Sequence, residues 1–114
     1  MTEFTFLFRG SDPAARSPEQ MQASMQKWLA WFKELNEKGV IRNPGHPLDR
    51  AGKVVAGQKR TVHDGPYAEA KDVINGFILV EAVDLPHAVD ISKGCPILED
   101  GGSVEVRPVR VLNM

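Results

Sequence analysis

His63 is followed directly by Asp64, and Asp64 leads into Gly65-Pro66. An imidazole exchanges a proton near neutral pH, and a neighbouring carboxylate can orient it or serve as a second acid/base group. The pair stands where an extended segment enters a turn, and loops carry a large share of functional residues. Successive side chains on a strand point to opposite faces, however, so adjacency alone makes no dyad. The structural alternative has the Asp64 carboxylate tying the Gly65-Pro66 turn, with His63 left on the surface. For Asp64 the turn role is the simpler reading; for His63 both readings stay open.

Arg9, Glu105 and Arg107 are charged residues on otherwise apolar, strand-like segments. Charges are seldom buried unless paired, so these three belong at a rim or opposite partners across a sheet. A guanidinium suits two-point capture of a carboxylate, which makes a small anionic organic ligand the functional reading. A salt bridge between subunits is the structural one. Cys95 has no histidine beside it and reads as a small buried hydrophobe at a helix end. His46, His63 and His87 are dispersed, and His46 with Asp49 makes two ligands, too few for a metal site. Gly101-Gly102-Ser103 lacks the lysine and following helix of a phosphate loop. No metal and no cofactor are expected.

The segments that must position these residues follow from periodicity. Phe4, Phe6 and Phe8 alternate on one face of a strand, with Thr5, Leu7 and Arg9 on the other. Ser17-Pro18-Glu19-Gln20 is a capping box with proline at the first helical position, and it opens a helix over 18–38. Met21, Met25, Trp28, Phe32 and Leu35 form its apolar stripe, flanked by Leu29 and Trp31, and Gly39 stops it. Trp31, on the flank, is the aromatic expected to meet a partner or ligand. Val40-Ile41 begins an extended segment that soon meets Asn43-Pro44-Gly45-His46-Pro47, which no helix or central strand tolerates. Residues 53–56 and 60–62 flank Gly57-Gln58 as a short hairpin, and 67–73 reads as loop. Residues 76–83 are apolar on both faces, so that strand is central. Asp84 caps a second helix ending at Gly94, 96–102 is loop, and 103–107 is a last strand with a bulge or edge at Pro108.

The order is that of a ferredoxin-like βαββαβ domain, an α+β fold, with an extra β-hairpin. Both helices then cover one sheet face, and Leu7 and one face of 76–83 are left bare. A patch of that kind marks an interface, so a homodimer with its sheets face to face is expected. The pocket then lies between sheet, hairpin and partner.

The chain has 114 residues, one domain spanning 1–114. Its 14 basic and 15 acidic residues leave a net charge of −1 with no block of either sign, which argues against nucleic acid or a membrane surface as partner. One cysteine excludes an internal disulfide and suits a reducing compartment. There is neither a spanning run nor a signal pattern. A cytoplasmic domain is expected.

Asp64-Gly65-Pro66-Tyr67-Ala68-Glu69-Ala70-Lys71 with Gly76-Phe77 resembles the signature of the DGPF-domain proteins of the YCII-related family. Gly94-Cys95-Pro96 and 101–108 are similar to that family's ending, and Ser17-Pro18-Glu19 to its helix start. The resemblance implies a ferredoxin-like fold that dimerises as an α+β barrel. In the wider superfamily some members isomerise small cyclic or aromatic compounds or remove halide from them, and others are fused to sigma factors. YciI-type relatives carry a His–Asp pair whose histidine is associated with the first helix. Here that helix has none, and Ser24, Met25 and Trp28 stand at the corresponding places. Tyr67 replaces the motif's phenylalanine, and the motif draws Tyr67, Glu69 and Lys71 toward a pocket.

Two functions from different classes follow. One is a cofactor-free enzyme on a small organic acid or ring compound, of isomerase or dehydrohalogenase type. There His63 and Asp64 are catalytic, and Arg9, Tyr67, Lys71, Glu105 and Arg107 bind substrate. The other is a non-catalytic ligand-binding or regulatory module using the same pocket.

Overall fold

The computed structural model describes residues 1–10, 16–65 and 72–112. Among these residues six strands and two α-helices follow in the order β1 (Thr2–Arg9), α1 (Pro18–Glu37), β2 (Ile41–Pro47), β3 (Lys53–Ala56), β4 (Thr61–Asp64), β5 (Ile74–Ala82), α2 (Leu85–Ser92) and β6 (Ser103–Pro108). A short 3-10 helix, Pro96–Asp100, precedes β6. The main sheet runs β2-β5-β1-β6 and is antiparallel throughout, while β3 and β4 pair with each other as a separate ribbon. Without the ribbon this is the ferredoxin-like βαββαβ arrangement, in the α+β class that the sequence predicts.

Alternation decides the layers. Phe4, Phe6 and Phe8 on β1 and Ile78, Val80 and Ala82 on β5 turn to the helix side and are buried. Val104 and Val106 of β6 stand opposite Phe8 and Phe6 and pack against the same core. Ser17 caps α1 by accepting from the Gln20 amide, and the Gln20 side chain accepts from the Ser17 amide in return. Asp84 caps α2 through the His87 amide. Gly39, at φ +69°, carries the chain out of α1.

The buried stripe of α1 differs from the one the sequence predicts. Trp31, expected on the flank, is 5% exposed and packs beside Phe6 and Phe8, while Leu35 is buried with it. Trp28 and Phe32 are half-buried, and Met21, Met25 and Leu29 are exposed. The aromatic rings offer more apolar surface than the flexible methionines and settle the rotation of the helix. Trp28 meets Phe8 edge-on at 5.0 Å between ring centroids and Trp31 at 5.8 Å.

β2 keeps its strand through Pro44 and Pro47 because it is an edge strand, and its pairing with β5 slips twice on the way. Gly45 makes this possible. At φ +61°, any Cβ there would fall 1.7 Å from the Phe77 carbonyl oxygen. β6 also lies at an edge, where Pro108 is tolerated, and its pairing with β1 runs to Phe4–Pro108 without a bulge.

Candidate functional site

The sheet face away from the helices carries half-buried side chains in transverse rows. One row reads His46, Phe77, Leu7, Glu105 across the four strands, and the next reads Asn43, Leu79, Thr5, Arg107. Thr5, Leu7, Phe77 and Leu79 are half-buried on the face opposite the one on which the described helices pack. The His46 ring meets the Phe77 ring edge-on at 6.3 Å, which places an imidazole at the margin of the apolar centre.

At the opposite margin the Arg9 guanidinium donates from Nε to Glu105 Oε1 at 3.1 Å, with Nη2 3.0 Å from the same oxygen. Its Nη1 donates to the Asp72 carbonyl at 2.8 Å. Arg107 Nε lies 3.8 Å from Glu105 Oε2. Three residues singled out in the sequence are therefore one cluster, bridged by Glu105 within a single chain. Arg107 is the most exposed of the three and has spare donors for an anion.

His63 and Asp64 sit apart from this cluster on the β3–β4 ribbon. His63 stands opposite Val54 and Asp64 opposite Lys53, so the two point to opposite faces. The Asp64 carboxylate accepts from the Lys53 ammonium, and both His63 and Asp64 are exposed. Tyr67 and Lys71 lie outside the described residues, as does most of the signature that follows Gly65.

On the helix side a cleft of about 460 Å³ is lined by Lys27, Trp31, Glu34, Lys93, Cys95 and Glu99 among others. The hydrogen bond to Glu99, and then that residue's charge, raise the Lys27 pKa. Burial pushes the Cys95 thiol up to about 12, against a smaller lowering by a backbone hydrogen bond at Ile97. A thiol held that firmly protonated is no nucleophile at neutral pH, in keeping with the buried hydrophobe expected of it. His87 is also structural, since its Nδ1 accepts from the Val83 amide at 3.0 Å. Among the described residues no three His, Cys, Asp or Glu side chains gather where a metal could be held. No described helix is long and apolar enough to cross a membrane.

Periodicity alone misses His46. Pro44, Gly45 and Pro47 read as loop, and the available signal is that an edge strand tolerates them, which puts His46 in register with Phe77.

An antiparallel four-stranded sheet with two helices on one face and a charged margin on the other defines an α+β protein of ferredoxin-like topology. The sequence profile of the YCII-related domain matches residues 4–113, and the chain belongs to that family. No curated protein matches it in sequence. Among solved structures it is similar to 5-chloro-2-hydroxyhydroquinone dehydrochlorinase (TftG) from Burkholderia phenoliruptrix in complex with 2,5-dihydroxybenzoquinone. The identity is 20%, the TM-score 0.55, and the likeness covers 95% of this chain and 93% of the other.

Proposed function

We propose that this protein is a cytoplasmic homodimer that binds a small anionic organic acid or ring compound on the uncovered face of its sheet. It acts there by acid/base chemistry, without a metal or other cofactor. The observation that carries the reading is the half-buried apolar centre of Leu7, Phe77 and Leu79 beside the Arg9–Glu105–Arg107 cluster. Ring-sized apolar surface next to a guanidinium is what a small aromatic or alicyclic anion requires. A second copy laid on this face completes an α+β barrel and excludes water from the site. TftG, solved with a dihydroxybenzoquinone, lends support as a protein of like fold with a ligand of this size and chemistry.

Arg107, partnered by Glu105 only at 3.8 Å, is the anchor for the substrate anion, with Arg9 held behind it. His63 moves the proton and Asp64 orients the ribbon; Tyr67 and Lys71 join the binding surface. His63 reaches substrate from the ribbon of a second copy, because in its own chain it stands on a separate sheet. A second reading, a non-catalytic binding module, is favoured by the ion pair that occupies Asp64 and by the lack of histidine on α1.

The test is a thermal-shift screen of small carboxylates and hydroxyquinones, followed by turnover assays on each hit. Ligand binding raises native stability by mass action. The enzyme reading expects turnover that His63→Ala abolishes. Binding without turnover selects the module, and turnover lost in His46→Ala but kept in His63→Ala moves the acid/base role to β2. A screen in which no compound stabilises the protein removes the proposal.

A further inference from the structure

The β3–β4 ribbon has no visible reason to stand alone. A two-stranded hairpin is marginal in water by itself. Here the directly opposed pair Val55 and Val62 is 65% and 58% exposed. The radius of gyration is 15.7 Å, against about 13 Å for a compact chain of this length, and the shortest dimension is 19 Å. One helix layer on one sheet fills that thickness, so the ribbon juts out alongside the plate.

Charge says what it meets. The turn at the ribbon's tip carries Lys59 and Arg60, both exposed. Among the described residues the Arg60 guanidinium donates only to the Gln58 carbonyl, and neither residue meets an acid. On the uncovered sheet face Glu3 and Glu81 stand directly opposite each other across β1 and β5, and neither forms an ion pair among the described residues. Like charges in that position destabilise a sheet unless a cation joins them. The ribbon cannot serve its own acids easily: it leaves β2 where Pro47 stands opposite Gly76, five residues or roughly 17 Å along β5 from Glu81. A basic tip on a ribbon that departs from one end of the face, and an acidic pair at the other end, are opposite charges that a two-fold-related second copy can bring together.

Area points the same way. At about 16 Å² per strand residue, the uncovered sheet face offers roughly 500 Å² in projection and the ribbon about 130 Å² more. A stable interface takes about 800 Å² from each partner, so the sheet alone falls well short, and the ribbon narrows the gap without closing it.

We propose that the ribbon is the arm by which each copy grips a second copy of this chain, its Lys59 and Arg60 meeting the partner's Glu3 and the partner's Glu81. The Val55–Val62 pair is covered in the same contact. This rests on the face-to-face dimer proposed above.

Sedimentation velocity on the full chain tests it with two double variants, Lys59→Glu/Arg60→Glu and Glu3→Lys/Glu81→Lys, each checked for native circular dichroism. Each alone is expected to raise the dimer dissociation constant at least about tenfold. Mixed in equal amounts they restore opposite charges at both contacts, and the heterodimer is expected within about threefold of the wild-type constant. A wild-type dimer whose constant neither variant moves overturns the arm and leaves the dimer standing. A mixture that stays as dissociated as its components overturns it as well. A wild-type chain that is monomeric at micromolar concentration overturns the dimer reading itself.

Discussion

Arg9 and Glu105 form their ion pair diagonally. In the β1–β6 register Arg9 stands opposite Ser103 and Glu105 opposite Leu7, yet Nη2 of Arg9 reaches Oε1 of Glu105 at 3.0 Å. The guanidinium thus leans along the strand toward the apolar centre of the uncovered face, and Asp72 holds its other end through a backbone carbonyl. This geometry makes Glu105 a bridge between Arg9 and Arg107 and aims the cluster at Leu7.

Both side chains are partly exposed, so solvent and salt screen the pair and its worth is small. A double-mutant cycle with Arg9→Gln and Glu105→Gln is expected to give a coupling of about 0.5–1 kcal/mol at low salt, shrinking as salt rises. Chemical denaturation of the four proteins measures it. Glu105→Gln alone also removes the charge that competes for Arg107, and tighter binding of small carboxylates is the expected accompaniment.

The orientation of α1 predicts a sharp contrast between two residues of similar hydrophobic character. Trp31→Ala removes a ring packed against Phe6, Phe8, Trp28 and Phe32 and is expected to cost about 3–5 kcal/mol. Met25→Ala, at an exposed position, should stay within about 0.5 kcal/mol of wild type. Urea denaturation of the two variants checks the rotation of the helix directly.

That rotation also shows how far a sequence reaches. β1 and β6 follow from alternation, β5 from its apolar run, and both helices from the Ser17 and Asp84 caps and glycine stops, because these act within a few residues. β2 beyond Ile41 does not, since its prolines read as loop. The stripe through Met21 and Met25 is as regular as the one through Trp31 and Leu35, and periodicity cannot rank them. The ranking comes from Phe6 and Phe8, which lie far off in the chain and offer aromatic surface. The candidate site divides in the same way. Arg9, Glu105 and Arg107 are legible because charges on apolar strands must find partners, but that they find each other depends on the β1–β6 register.

Gly45 and Gly57 both have positive φ, which alone favours glycine. A Cβ at Gly57 meets nothing within 4 Å, whereas one at Gly45 would collide with the Phe77 carbonyl. Gly57→Ala is therefore expected to cost about 1 kcal/mol, the left-handed penalty by itself. Gly45→Ala must also part β2 from β5 and is expected to cost at least about 3 kcal/mol. Urea midpoints separate the two, and faster amide exchange at the Phe77 end of β5 in Gly45→Ala would localise the damage.

Cys95 supplies a pH dependence whose sign is fixed by burial. Its thiol rises from an ordinary 9.0 to about 12 in the folded chain, so between those values the unfolded chain has lost the proton and the folded one keeps it. Fewer protons bound in the unfolded state means that stability falls as pH rises. The contribution is whole below about pH 9, declines from there, and is gone once the folded thiol itself ionises near pH 12. Denaturation midpoints measured upward from pH 8 should fall in wild type more steeply than in Cys95→Ala. At pH 8 only about one native thiol in ten thousand is ionised, so a thiol-specific disulfide reagent should react far more slowly with the folded protein than after unfolding in urea. Rapid reaction of the native thiol would mean that the floor of the α1 cleft opens.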